Sequence, residues 1–270
     1  MTTNYKRIVF LTLAVVCASC WEIPCRAQDL VADIISNGEI KVGIVLGCPP
    51  FAFTDEDGSV KGFNADIAGY LADRLSVKLL ITELQPDDLL ANPSCDIVIS
   101  NAPRTLDLAN LYRFSEPYLR SGQSVILGEH SLYVKDWSEL DAQGKNIAVV
   151  EGTCGKQVAN KKFKKASVSI VKNEADALSM LLRGRADALV YDRQIAEYIC
   201  LAHPEWKVLP GQISDDFYCI LFPRGDTENK KSEEWYCIPW FNVFISELKI
   251  SKQYADIFNR WFGPDRALAQ

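Results

Sequence analysis

Three residues that follow a predicted strand and open a predicted helix, Gly152-Thr153-Cys154, are the first candidates for ligand chemistry. The backbone N–H groups in the first turn of a helix have no partner within the helix, so together with the Thr153 hydroxyl they favour an anion. Lys156 would add a positive charge. An ordinary helix cap is the alternative interpretation. We therefore take Thr153 and Cys154 as candidate ligand contacts.

A second candidate is Asp192, which ends the predicted strand over residues 188–191 and precedes a predicted helix. A carboxylate at this place can hold a ligand ammonium group through a charge-assisted hydrogen bond. Capping of the following helix is the alternative role, and the two roles are compatible. The sequence predicts that Asp192 contacts the ligand.

Four further candidates follow other predicted strands. Phe51 and Phe53 come after the first strand, and each ring would form either an apolar wall against a ligand or part of the core. Asn101 and Arg104 follow the third strand. Ligands of open α/β sheets bind beyond the carboxyl ends of the strands, so all four residues are expected near the ligand.

No catalytic motif accompanies these residues. The sequence contains no nucleophile elbow, no phosphate-binding GxxxxGK[ST] and no HExxH. His130 and His203 are its only histidines, which makes a zinc site improbable. We predict no catalytic residues, no metal and no cofactor.

The elements that must position the candidates alternate between strands and helices. Strands are predicted over 40–46, 77–82, 96–100, 123–127, 146–150, 168–171, 188–191 and 217–222, and helices over 29–39, 64–75, 153–162, 173–183 and 194–200, with two more in the tail. Such alternation is typical of mostly parallel sheets covered by helices on both faces. The predicted fold class is α/β.

Several segments carry a family resemblance. The first strand runs into Cys48-Pro49-Pro50-Phe51, Gly62-Phe63-Asn64-Ala65-Asp66 opens a helix, and Phe114-Ser115-Glu116-Pro117-Tyr118 precedes a later strand. This order resembles the family 3 (type II) periplasmic solute-binding proteins, best known as polar amino-acid receptors of ABC importers. The resemblance covers residues 30–263. It implies two lobes joined by two crossing strands, each lobe a mostly parallel sheet with helices on both faces. Lobe 1 would comprise 28–121 and 222–270, and lobe 2 would comprise 122–221.

The resemblance fails at the group that would bind an amino-acid carboxylate. Receptors of this family carry an arginine there, and Leu108 stands at its position in this chain. Arg104, Arg113 or Arg120 would have to replace it with a different geometry. A lost bidentate pair in a partly desolvated cleft is worth roughly 2–5 kcal/mol. The expected ligand is therefore a small polar solute other than a standard α-amino acid.

Residues 1–27 are typical of an export signal. A positive segment precedes an apolar run over 8–18 that is too short to span a bilayer, and cleavage is expected near Ala27. Cys20 leaves open a lipoprotein anchor. The formal net charge of −6 and the lack of a basic run disfavour nucleic acid as a partner. We expect a periplasmic monomer with no membrane span in its mature form.

Six cysteines lie beyond the predicted signal: Cys48, Cys95, Cys154, Cys200, Cys219 and Cys237. An even number in an exported chain suggests disulfide bonds, although the sequence does not choose among the pairings. Buried thiols are the alternative.

Three functions fit such a scaffold. The preferred one is capture of a small solute by hinge closure for the permease of an ABC importer. A second is a non-catalytic accessory protein of a periplasmic quinoprotein (methanol-type) dehydrogenase. Family 3-like proteins accompany such dehydrogenases, and two segments of this chain resemble theirs: Cys95-Asp96-Ile97-Val98 and Asn101-Ala102-Pro103.

The third function is that of a cyclohexadienyl dehydratase, because the segment around Phe114-Ser115-Glu116-Pro117-Tyr118 is similar to that enzyme as well. Dehydration with loss of a carboxylate requires an arginine clamp and an acid in the cleft. Leu108 and Ile195 stand at those two positions, so we predict that the protein is not an enzyme.

Overall fold

Two five-stranded sheets form the framework of the molecule. The structure, a computed structural model, describes residues 30–91, 93–224 and 237–263, and the predicted export signal lies outside them. The first sheet contains β1 (Glu39–Val45), β4 (Lys78–Leu84), β5 (Ile97–Pro103), β6 (Tyr112–Ser121) and β12 (Asp216–Pro223). The second contains β7 (Gln123–Leu127), β8 (Asn146–Val150), β9 (Ser167–Val171), β10 (Ala188–Asp192) and β11 (Lys207–Val208). A small hairpin, β2 (Phe53–Thr54) and β3 (Val60–Lys61), follows β1.

Helices cover both sheets, and the predicted α/β class is confirmed. On lobe 1 these are α1 (Leu30–Asn37), α2 (Phe63–Leu75), α3 (Leu106–Ala109), α7 (Cys237–Ile250) and α8 (Lys252–Phe262). On lobe 2 they are α4 (Cys154–Lys162), α5 (Glu174–Leu182) and α6 (Arg193–Ala202). Within the described ranges, no helix combines the length and the apolar character needed to cross a membrane.

Each sheet has one strand that runs against the other four. The first sheet has the order β4-β1-β5-β12-β6, in which β12 is antiparallel to both neighbours and β1 is parallel to β4 and β5. The second has the order β11-β7-β10-β8-β9, in which β7 is antiparallel to both neighbours. Both reversed strands begin where the chain has just crossed between lobes. The predicted two-lobed fold of mostly parallel sheets is thus confirmed.

The crossings lie at Gly122 and at residues 214–215. Gly122 separates β6 from β7, and a Cβ atom on it would lie 2.0 Å from the carbonyl oxygen of Ser214. The backbone N–H of Gln123 donates to the Ser214 hydroxyl at 2.8 Å. The two crossing segments therefore touch, and only glycine fits the contact. β12, a strand of the first sheet, starts at Asp216, before the lobe boundary predicted at 222.

The apolar core of lobe 1 lies directly beneath the turn after β1. Phe51 is fully buried, with ring centroids 5.5 Å from Phe262, 5.7 Å from Tyr218 and 6.3 Å from Phe63. These pairs are edge-on arrangements, which aromatic rings favour. The turn after β1 is thereby anchored to the last helix of the described chain.

The six cysteines of the described residues carry thiols, so the expectation of disulfide bonds is not met in this structure. Burial raises the pKa of the thiols of Cys95, Cys154 and Cys219 to about 11. Thiols with such pKa values contain little thiolate at neutral pH, and thiolate is the form that enters disulfide exchange.

Candidate functional site

A cavity of about 250 Å³ lies between the two lobes, at the carboxyl ends of strands from both sheets. Lobe 1 contributes the residues after β1 and those at the end of β5, among them Cys48, Ser100 and Asn101. Lobe 2 contributes Asp192 at the end of β10 and the first turn of α4. The position is the one expected for a ligand in an open α/β sheet.

Uncharged and apolar groups form most of the cavity wall. Val45, Leu89, Tyr191 and Ile195 line it. Among the described residues, Asp192 is the one charged side chain in the wall, and no lysine, arginine or histidine accompanies it. A carboxylate entering this cavity would give up its hydration without meeting a cation.

The lobe 2 wall includes the start of α4, where two predicted ligand contacts lie. Thr153 and Cys154 both line the cavity. The Thr153 hydroxyl donates to the carbonyl oxygen of Val150 at 2.7 Å, and no side chain caps the helix. The first N–H groups of α4 are therefore left without the side-chain acceptor that such positions usually have. Lys156 pairs with Glu151 and does not line the cavity.

Asn101 and Cys48 meet on the lobe 1 wall. The Asn101 side chain hydrogen-bonds the Cys48 thiol, whose pKa burial raises. Asn101, predicted as a ligand contact, is thus in the cavity and already has a protein partner. The structure brings it together with Thr153, Cys154 and Asp192.

Asp192 has the most extensive hydrogen bonding of these residues. Its Oδ1 accepts from the backbone N–H groups of Gln194 at 2.9 Å and Ile195 at 3.3 Å, which caps α6. Its Oδ2 accepts from the hydroxyl of Ser121 at 3.2 Å and from that of Tyr218. Asp192 is 6% exposed, and burial raises its pKa to about 6 despite these bonds.

Tyr218, which sequence reasoning missed, belongs to this site. It lies in β12 and lines the cavity, and burial raises the pKa of its phenol well above the ordinary value. Within the strand sequence Phe217-Tyr218-Cys219-Ile220-Leu221-Phe222 it is a polar group among apolar ones. A buried tyrosine hydroxyl needs a hydrogen-bond partner, and that requirement was the available signal.

Three predicted site residues do not line the cavity. Phe51 is a core residue, as described above, and its ring packs against Phe262 and Tyr218. Phe53 packs edge-on against Trp261, with centroids 5.8 Å apart. The guanidinium of Arg104 lies 5.9 Å from the ring centroid of Phe217. The structure thus gives these residues packing roles in lobe 1.

Leu108 stands where the resemblance expects an arginine, and it does not face the cavity either. The Thr105 hydroxyl caps α3 by accepting from the Leu108 N–H at 3.3 Å. Leu108 is 8% exposed and belongs to a cluster with Val45 and Tyr112. Of the alternative arginines, Arg120 pairs with Asp215 at 2.9 Å. None of them lines the cavity.

The family model of the bacterial extracellular solute-binding proteins, family 3, matches residues 40–264. The chain is 26% identical to cyclohexadienyl dehydratase of Pseudomonas aeruginosa over 217 residues, which cover 78% of this chain and 81% of that enzyme. It is 24% identical to the ABC transporter glutamine-binding protein GlnH of Bacillus subtilis over 247 residues, which cover 89% and 87%.

The fold is also similar to that of a solved structure, the ancestral amino acid-binding protein AncCDT-1, a precursor of cyclohexadienyl dehydratase. The TM-score is 0.70 at 27% identity, and the match covers 86% of this chain and 98% of the other. With the two-lobed fold, the cavity at the strand ends and the family match over most of its length, this chain belongs to family 3 of the bacterial extracellular solute-binding proteins.

Proposed function

We propose that this protein captures a small solute lacking an α-carboxylate, by closure of its two lobes, for the permease of an ABC importer. The observation that carries the proposal is the composition of the cavity wall. Both lobes contribute to this wall, and none of the described residues that line it is a lysine, arginine or histidine. A ligand that contacts both lobes stabilises their closed arrangement.

Relatives that bind amino acids support the receptor class. They include a glutamine-binding protein and an L-cystine-binding protein. The burial of Leu108 argues for a different ligand within that class, because the position cannot supply the guanidinium that pairs with a carboxylate. Compact solutes with an apolar body fit the rest of the wall.

The dehydratase relative raises the question of catalysis, and we propose that this chain has no such activity. Ile195 lines the cavity at the position where a dehydratase would require an acid. Glu197 does not line the cavity and forms an ion pair with Arg193 at 3.0 Å. Asp192 already accepts hydrogen bonds from four donors. Neither a clamp for prephenate nor a free acid is present among the lining residues described. Incubation with prephenate should give no phenylpyruvate.

The dehydrogenase-accessory function remains a second candidate because α7 exposes apolar side chains. Val243 is 59% exposed and Ile250 is 87% exposed. Single exposed apolar side chains are normal, whereas a contiguous patch of them marks a protein–protein contact. Export to the periplasm, signal cleavage near Ala27 and a monomeric state belong to both functions. N-terminal sequencing and light scattering of the exported protein would test them.

The deciding experiment is a thermal-shift and calorimetric comparison of matched compounds. Leucine, isoamylamine and isoamyl alcohol form one series, and phenylalanine, phenethylamine and phenethyl alcohol form another. We expect at least one carboxylate-free compound to raise the Tm and its parent amino acid to have no effect. A ligand at about 100 times its Kd adds about 2.7 kcal/mol to the free energy of unfolding, which moves the Tm by several degrees.

Two results would overturn the proposal. The first is tighter binding of the amino acids than of their carboxylate-free partners. The second is no binding in these series or in a wider panel of sugars and small acids, with no small molecule released on denaturation of the purified protein. The second result, together with capture of a purified quinoprotein dehydrogenase, would establish the accessory function.

A further inference from the structure

We propose that Tyr218 sets the charge preference of the cavity. Its hydroxyl occupies the position on Asp192 that a ligand ammonium group would use, so the cavity selects uncharged solutes over amines. This inference rests on the proposed function and names its ligand class, a small uncharged molecule with an apolar body. It also gives Asp192 a role other than the predicted contact with a ligand.

The acceptor capacity of Asp192 is the first step. An ionised carboxylate offers about four lone-pair positions. Two backbone N–H groups of α6 take those of Oδ1, and the hydroxyls of Ser121 and Tyr218 take those of Oδ2. Each of these positions thus has a donor within reach, although Asp192 also lines the cavity.

The four donors are not equivalent. The single proton of the Ser121 hydroxyl has a second acceptor in Oε1 of Gln194, so the network can lose the bond from Ser121 to Asp192 without leaving that hydroxyl unpaired. The two backbone donors are fixed by α6. Tyr218 is the side-chain donor that also lines the cavity. Its removal is what would expose Asp192 to a ligand.

The position of Tyr218 is rigid. Its side chain is 2% exposed, and its ring lies against Phe51 with centroids 5.7 Å apart. β12, which carries it, pairs with a strand on each side. An ammonium group that displaced this hydroxyl would leave it buried without an acceptor, which weakens binding by about tenfold or more. Phe51 thus acts one step away from the ligand, as a positioning residue for Tyr218.

Electrostatics alone would predict the opposite preference. A cavity whose described charge is a single carboxylate should attract amines. Ser121, Tyr218 and the amides of α6 already hydrogen-bond that carboxylate, so a ligand cation would have to take the place of a donor that the protein supplies. Tyr218 and a ligand ammonium group compete for the same position on Asp192. The Tyr218 hydroxyl wins, because it is already part of the protein and loses no translational or rotational freedom when it forms the bond.

The test uses the mature protein with Tyr218→Phe, which keeps the ring against Phe51 and removes the hydroxyl. Calorimetry with isoamylamine, isoamyl alcohol, phenethylamine and phenethyl alcohol gives the ratio of amine to alcohol affinity. We expect this ratio to rise about tenfold or more in Tyr218→Phe. The matched control is Tyr254→Phe, whose hydroxyl bonds the carbonyl oxygen of Tyr118 at 2.9 Å in the lobe 1 core. It should leave the ratio unchanged.

The wild-type protein supplies a second measurement that does not depend on the stability of a variant. At neutral pH it should bind each alcohol more tightly than the corresponding amine. A wild-type preference for amines, or an unchanged ratio in a folded Tyr218→Phe, overturns the role of Tyr218 and leaves the receptor function standing. Failure of every probe to bind every variant counts against the receptor function itself.

Discussion

The hydroxyl of Tyr218 donates a hydrogen bond to Oδ2 of Asp192, and this bond connects the sheet of lobe 1 to the N-terminus of α6 in lobe 2. The same carboxylate accepts from Ser121 at the end of β6. Asp192 therefore contacts a residue from each strand next to the crossings while it caps a helix of lobe 2. Changes to Asp192 act on the lobe connection as well as on the cavity.

Asp192→Asn should flatten the pH dependence of stability between about pH 4 and pH 6. Burial raises the folded-state pKa of Asp192 to about 6 from an ordinary 3.8. Within this interval the folded protein binds a proton that the unfolded chain lacks, so the contribution of Asp192 to the free energy of unfolding falls as the pH rises. The fall is about 1.4 kcal/mol per unit of pKa difference, roughly 3 kcal/mol in all. Urea unfolding of the wild-type protein and of Asp192→Asn across this pH interval measures the fall. If the free energies of unfolding of the two proteins changed in parallel with pH, the raised pKa of Asp192 would be contradicted.

Leu108→Arg should destabilise the protein without creating a carboxylate site. Leu108 packs with Val45 and Tyr112, so the new guanidinium would be buried without a partner. The expected loss is about 3 kcal/mol or more, measured by urea unfolding. Leu106→Arg is the matched control on the same short helix, since Leu106 is 88% exposed. Tight leucine binding by a stable Leu108→Arg protein would show that position 108 does reach the ligand.

Gly62→Ala should be strongly destabilising. Gly62 precedes α2 with φ of +129°, and a Cβ atom on it would lie 2.3 Å from the carbonyl oxygen of Phe51. We expect a loss of about 2 kcal/mol or more. Gly69→Ala lies within α2, and no atom beyond its own stretch of helix lies within 4 Å of the new Cβ, so it should instead stabilise by about 0.5–1 kcal/mol. Equal thermal midpoints for the two variants would argue against the close approach of Gly62 to Phe51.

The cysteines provide a chemical check on the fold. Iodoacetamide added to a protein of residues 28–270, unfolded without reductant, should alkylate all six of the cysteines named above, because each carries a thiol. Peptide mass spectrometry, with a sample reduced beforehand as the reference, gives the count. A pair that becomes labelled only after reduction would identify a disulfide bond.

The sequence allowed good prediction wherever the signal was local. A strand over 188–191 followed by Asp192 and a helix was predicted, and β10 and α6 occupy those places with Asp192 as the cap. A helix over 64–75 was predicted, and α2 runs from Phe63 to Leu75. Runs of apolar residues and polar caps determine such elements through neighbours in the chain.

The site was harder to predict because its decisive contacts are distant in sequence. The direction of the Phe51 ring depends on Phe262, which no local pattern places beside it. Tyr218 reads as one more residue of an apolar strand, and its partner Asp192 is 26 positions earlier. Position at a strand end indicated which residues lie near the cavity, but not which side chains face it.

The order of strands in the first sheet has a consequence for how the chain folds as it emerges. Lobe 2 is one continuous segment, whereas β12, which lies between β5 and β6, is made only after that whole lobe. Until it arrives, β5 and β6 have no strand between them, and the turn around Phe51 lacks both Tyr218 and Phe262. Long-range pairing of this kind is slow, because the loop must close before its contacts form. Lobe 2 can therefore assemble early, whereas lobe 1 is completed only after β12 and the last two described helices have been made.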